Sequence, residues 1–235
     1  MWYANFLRGS LCALVVCFLV TSGSFAWGAS FDDFAVPIAP EIIVISSAAQ
    51  NPTTVSTLNP ATGVGSRDVT FNVSAPPGPA AVIGVVGGGQ LMVQSSTPGT
   101  TTTVTYSGLG GQDLNTLGNE FQLDFLFVDN SVEHKLGVSI DVVSSGGGAT
   151  ASSPVIMVDD DLAASMSAIN FSAFTGDTAA LADAGTITVQ FNPDAYEHIN
   201  FSLGGFGVGV VPEPSVVVLL ISGLLAATLF GWRRR

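Results

Sequence analysis

Positive charge is what this sequence has least of. Lys and Arg together number 6 against 18 Asp and Glu, a formal net charge of −12 over 235 residues. Four of the six cations stand at the ends, Arg8 near the start and Arg233, Arg234 and Arg235 as the final residues. Only Arg67 and Lys135 lie between them. A chain with no basic patch cannot neutralise a run of phosphates, which excludes nucleic acid as a partner. Cysteine is nearly as scarce. Cys12 and Cys17 both lie in an apolar N-terminal run, so its removal leaves no disulfide framework, no thiolate nucleophile and no cysteine-based zinc site. Lipid attachment at Cys17 needs a small residue before it, and Val16 is not small. Internal repeats are also missing, against propellers and solenoids.

The two ends carry export signals. Leu11 to Val20 is a short apolar run preceded by one cation, Arg8, and followed by small residues. It is too short for a ~30 Å hydrocarbon core and has the layout of a secretory signal, residues 1–28. Cleavage after Ala26 and cleavage after Gly28 both satisfy the small-residue requirement, and the choice stays open. At the other end, Ser215 to Trp232 contains no charge. As a helix it reaches about 27 Å, close to the thickness of a bilayer core. Its Val, Ile, Leu and Phe residues favour insertion by roughly 3–6 kcal/mol together. Arg233 to Arg235 hold that end on the cytoplasmic side, so the acidic middle faces outward. Just before the helix, Pro212 and Pro214 flank Glu213 and keep the chain extended and accessible.

Pro-Glu-Pro, an apolar helix and a terminal arginine cluster, in that order, resemble the PEP-CTERM sorting signal of Gram-negative bacteria. The resemblance covers residues 211–235. It implies recognition of Pro212, Glu213 and Pro214 by exosortase, a membrane-embedded, cysteine protease-like transpeptidase. It further implies an inner-membrane-anchored precursor, with Arg233 to Arg235 as the membrane stop. The processed product is then expected at the cell surface or outside the cell, often where exopolysaccharide is made.

Residues 29–210 read as one β-rich domain. Phe121 to Phe125, Leu136 to Val142, Thr186 to Phe191 and Ile199 to Leu203 alternate apolar and polar side chains, the period of a half-buried strand. Glu41 to Ile45, Asp68 to Val73, Leu91 to Gln94 and Thr102 to Tyr106 are further strands. Turn chemistry separates them at 75–79, Gly87 to Gly89, Pro98-Gly99, Gly110-Gly111, Gly146 to Gly148 and Asn192 to Asp194. Asp177 to Ala184 alone looks helical. About ten short strands predict an all-β, antiparallel sandwich of jelly-roll type. The order of elements from Phe171 to Val210, a strand, a Gly-Asp loop and two more strands, resembles galactose-binding-like jelly rolls.

Candidate chemistry is sparse. Glu133-His134 and Glu197-His198 are adjacent residues at strands, where neighbours point to opposite faces, so one pair does not easily offer both groups to one site; they read first as solvated polar positions and second as four ligands converging from two strands on a zinc ion. Asp159, Asp160 and Asp161 form the densest acidic run. It reads first as a solvated loop and second as a structural Ca²⁺ site that Asp32, Asp33 or Asp194 would complete, although the spacing is not that of an EF-hand. No G-x-S-x-G elbow occurs, and Gly63 to Arg67 imitates it only in part. The Gly-rich stretches lack a phosphate-loop lysine. Thr101, Thr103 and Thr105 share one strand face, as β-propensity favours, and most of the Phe residues read as core.

The leading expectation is a non-enzymatic exported protein without a resident cofactor, displayed at or released from the surface after exosortase processing. The alternative is a carbohydrate-binding jelly roll that holds extracellular polysaccharide. A secreted hydrolase comes third. Exposed aromatic groups beside polar ones on a sheet face favour binding, whereas converging carboxylates in a cleft favour hydrolysis. The tail yields a first prediction. Replacing Pro212, Glu213 and Pro214 with alanines leaves the anchored precursor unprocessed in the native host, and an unchanged product size on an immunoblot would contradict the exosortase reading.

Overall fold

The computed structural model describes residues 27–36, 42–45, 52–58, 65–73, 82–95, 99–129, 136–158, 165–194 and 199–209. The signal segment before residue 27, Asp159 to Asp161, both Glu-His pairs and the sorting tail lie outside the described residues. In chain order the first strands are β1 (Trp27–Asp32), β2 (Ile42–Ile45), β3 (Thr53–Leu58), β4 (Ser66–Val73) and β5 (Val82–Gly87). Next come β6 (Gln90–Ser95), β7 (Thr100–Gln112), β8 (Glu120–Val128), β9 (Leu136–Ser144) and β10 (Thr150–Ser152). The last are β11 (Ile156–Val158), β12 (Ser165–Asn170), β13 (Thr175–Gly176), β14 (Ala184–Phe191) and β15 (Ile199–Gly209).

These strands make two antiparallel sheets packed face to face, the sandwich expected. One runs β12-β8-β15-β6-β5-β2, with β1 also paired to β15. The other runs β13-β10-β9-β14-β7-β4-β3, with β11 also paired to β9. The alternation that marked the strands sets the core. On β4, Arg67, Val69, Phe71 and Val73 point inward; on β7, Thr102, Val104 and Tyr106 do. Phe121, Leu123 and Phe125 of β8 meet them from the other sheet, along with Phe201, Leu203, Phe206 and Val208 of β15. Fully burying each such side chain is worth about 1.5–3 kcal/mol relative to exposure. The expected helical segment is a 3₁₀ helix, Thr178–Ala182, begun by Asp177, whose carboxylate accepts from the Ala179 N–H at 3.1 Å.

Turn chemistry is realised differently at two glycine pairs. Gly88 and Gly89 have φ of 63° and 82°, the two left-handed positions of a type I′ hairpin joining β5 to β6. Gly110 and Gly111, expected as a turn, lie within β7 with φ of 68° and 79°. Against them the β14 register jumps from Ala184–Gln112 to Thr186–Ser107, so the glycines form a bulge and the strand continues. Phe171, expected to open a strand, instead opens the 3₁₀ turn Phe171–Ala173.

Arg67 is the one Lys or Arg among the described residues, and it is fully buried. Its guanidinium donates to the Asp32 carboxylate and, at 2.8 Å, to the Val36 carbonyl, and it lies over the Phe34 ring 5.3 Å from the centroid. The Tyr106 hydroxyl donates to the same Asp32 oxygen at 3.1 Å. The Phe34 N–H donates to the other carboxylate oxygen at 2.8 Å, closing a turn in which Phe34 holds a left-handed φ of 53°. The network therefore ties β1 of one sheet to β4 and β7 of the other. It also corrects an expectation: Asp32 is consumed by Arg67 and Tyr106 in the interior and cannot serve a Ca²⁺ site with Asp159 to Asp161. Asp33 and Asp194 remain exposed.

Burial pushes the Asp32 carboxyl up from its ordinary value, and Arg67, the backbone and Tyr106 oppose that rise. Burial, and then the charge of Asp32, push the Tyr106 phenol well above 10.0. Two predictions follow from this network. Arg67→Met leaves the buried Asp32 carboxylate uncompensated and costs about 3–5 kcal/mol, whereas Arg67→Met with Asp32→Leu recovers most of the loss. Denaturant titration of both variants checks this, and equal losses would contradict it. Above about pH 10 an unfolded chain releases the Tyr106 proton while the folded chain keeps it, so stability present below that pH falls as pH rises, by up to ~1.4 kcal/mol per unit. Tyr106→Phe shows a shallower alkaline decline in the same titration; an equal slope would remove Tyr106 as its source.

Candidate ligand-binding face

With the inward positions committed to the core, ligands meet the outward rows of the two sheets. On the eight-stranded sheet the register places Thr54, Thr70, Thr103, Gln190 and Ser139 in one cross-strand row. The next row holds Ser56, Asp68, Thr105, Thr188, Asp141 and Ser152. Thr101, Thr103 and Thr105 do share this face, as expected, and the Thr54 and Thr70 hydroxyls bond at 2.9 Å. These two rows carry no aromatic side chain. Hydroxyls already bonded to water gain only about 0.5–1.5 kcal/mol per new hydrogen bond, so such a surface alone holds a ligand poorly.

The outward face of the seven-stranded sheet differs. From Phe121 the β8 alternation puts Phe121, Leu123 and Phe125 inward, and continued unbroken it would bury residue 127 as well. It does not continue. Phe125 pairs with Leu203 and Phe127 with Ser202, so Leu126 is an extra residue, a bulge that turns Phe127 outward. Leu126 folds over Gly204, where any Cβ would meet its Cγ and Cδ2 at 2.9 Å. Phe127 is 44% exposed and Leu126 41%. Among the residues whose burial is described, Phe127 is the one aromatic among the exposed large apolar side chains.

Polar groups surround Phe127 on that face. Ser202, its cross-strand partner, donates to the Gln90 side-chain oxygen at 2.8 Å, and Met92 of β6 follows Ser202 in the same row. One row further, about 7 Å along the strands, Asn200 pairs with Gln94. The Asn200 amide donates to the Asp129 carboxylate at 3.3 Å, and the Asp129 N–H donates to the Asn200 carbonyl at 2.8 Å. On the other side of the bulge stands Asp124, opposite Gly205. The face thus joins one exposed ring to three amides, Gln90, Gln94 and Asn200, and two carboxylates. Residue-type reasoning assigned most of the Phe residues to the core and did not single out Phe127; the signal was Leu126-Phe127 breaking the alternation of FQLDF.

The other carboxylates are dispersed. Asp68 and Asp141 share a row but stand three strand spacings apart, about 14 Å. Catalytic carboxylate pairs in glycosidases sit roughly 5–9.5 Å apart. Asp113 accepts from the Asn115 N–H at 3.0 Å and Asp33 from the Ala35 N–H at 2.9 Å, each closing a local turn, while Asp183 accepts from the Ser145 hydroxyl at 2.8 Å and ties together two segments distant in sequence. No group of three His, Cys, Asp or Glu among the described residues is placed to hold a metal ion.

No protein-family model and no curated protein matches the sequence. Several solved structures are similar. One is the "Family 11 Carbohydrate-Binding Module of cellulosomal cellulase Lic26A-Cel5E of Clostridium thermocellum", at 14% identity, 81% of this chain, 99% of that chain and a TM-score of 0.40. Another is "Carbohydrate binding module family29", at 12% identity, 60% of this chain, 90% of that one and a TM-score of 0.33. A third is "Structure of PfGH50B", at 12% identity and a TM-score of 0.40, with 56% of this chain aligned to 22% of that one. These are loose superpositions, and no residue role is carried over from them.

Proposed function

We propose that this chain is an exported, non-catalytic protein whose β-sandwich binds extracellular polysaccharide across the face centred on Phe127. The observation that carries the reading is the exposed Phe127 ring beside Gln94, Asn200 and Asp129. A sugar ring has an apolar C–H face and a polar rim. An exposed aromatic ring covers the first, and amides and carboxylates on flanking strands pair with the second, which fixes orientation. Phe127 points out from a sheet face, and a long chain lying across the strands meets it without threading an end.

Mechanistically, the bulge at Leu126 presents the ring, Met92 extends the apolar strip, and the Ser202–Gln90 and Asn200–Asp129 hydrogen bonds hold the polar rim in place before a ligand arrives. That preorganisation lowers the entropy cost of binding. The ends supply delivery: a removable signal for export and Pro212-Glu213-Pro214 with the apolar segment after it for exosortase, which puts the sandwich outside the cytoplasm where polysaccharide is. The hydrolase reading ranks lower on the wide separation of Asp68 and Asp141.

Phe127→Ala is predicted to weaken retardation of the protein in polysaccharide-containing native gels by about tenfold or more, ~1.4 kcal/mol. Its melting temperature stays within a few degrees of the parent's, because the ring contributes little to the core. Undiminished binding by that variant would move the site elsewhere.

A further inference from the structure

We infer that the polysaccharide held at the Phe127 face is uncharged, an inference that rests on the polysaccharide reading above and narrows its ligand class. The charge inventory carries it. Arg67, the one Lys or Arg among the described residues, is 0% exposed and paired with Asp32, so it offers nothing to a ligand. The sequence holds one other base between residues 27 and 212, Lys135. Among the described residues, the charged side chains placed on the same face around Phe127 are Asp124 and Asp129, both negative.

A uronic acid or sulfated sugar stacked on Phe127 brings its anion toward these carboxylates. Among the described residues no cation on that face compensates it, and a polyanion repeats the penalty at every charged unit that approaches the acidic domain. A neutral sugar meets the same groups favourably. Its hydroxyls donate to the Asp124 and Asp129 carboxylates, and the Gln94 and Asn200 amides both donate and accept. Asp129 is already held by Asn200 at 3.3 Å, which keeps an acceptor oriented at the rim of the ring. The acidity that excludes polyanions is thus also what recognises hydroxyl groups.

The test uses the full-length protein in detergent with EDTA present, so that no divalent cation bridges protein and polymer. Gel retardation is compared on matched polymers differing only in charge: hydroxyethyl and carboxymethyl cellulose, and a mixed-linkage β-glucan, a galactomannan and the carboxymethylated form of each. Retardation by at least one neutral polymer is expected, with its charged counterpart bound at least tenfold more weakly in low salt. The gap should shrink in high salt as charge is screened. Replacing Asp124 and Asp129 together by Asn is expected to narrow the gap at low salt; an unchanged gap would overturn their placement beside the ligand. Tighter or equal binding of the carboxymethyl polymers would overturn the inference while leaving the polysaccharide reading intact. Retardation by no polymer of either kind would remove that reading, and this one with it.

Discussion

The interior of this sandwich is organised around a buried ion pair. Arg67 projects from β4 into the space between the sheets, where an unpaired guanidinium could not be tolerated, and Asp32 of β1 answers it. That requirement holds the first described strand against the far sheet and forces the tight turn at Phe34. It also places Tyr106, whose ring stacks on Phe206 at 5.4 Å, which in turn stacks on Phe121 at 5.5 Å. A polar link thus continues into the aromatic stack between the sheets. Burying the charge also removes the one described cation from the surface, so among the described residues a constraint of packing leaves only acidic charge outside.

The outward faces divide along the pairing register. Strict alternation on β4, β7, β14 and β9 lays hydroxyls, an amide and carboxylates in rows on one sheet. On the other sheet a single inserted residue, Leu126, breaks the alternation, and Phe127 comes out. The opposing strand accommodates this because Gly204 has no side chain where Leu126 folds over. The candidate site is therefore a consequence of strand pairing more than of any chemical motif.

Much of the fold was legible in local pattern. Leu136 to Val142 and Thr186 to Phe191 became β9 and β14 because alternation with turn residues at both ends leaves a strand little choice. Strands β1, β12 and β13 were not legible, since each depends on a partner distant in sequence: β1 on β15, β12 on β8, β13 on β10. Gly110 and Gly111 misled, because a glycine pair serves a bulge as readily as a turn. Arg67 reads as a surface residue by type, and only the inward phase of β4 reveals it as core. At the site, Gln94, Asn200, Asp124 and Asp129 carry no motif. The register across β6, β15 and β8 brings them beside Phe127, and register is a property of paired strands that single-strand periodicity does not contain.

The claim on which the functional account turns is that ligand meets the protein at the bulged face of β8. Backbone amide NMR during titration with a neutral oligosaccharide tests this directly. Perturbed amides are predicted to cluster at Met92 to Gln94, Phe127 to Asp129 and Asn200 to Ser202, three adjacent strand segments on one face. Perturbations gathered instead on Thr103, Thr105 and Thr188 of the opposite sheet, or none at all around Phe127, would contradict it.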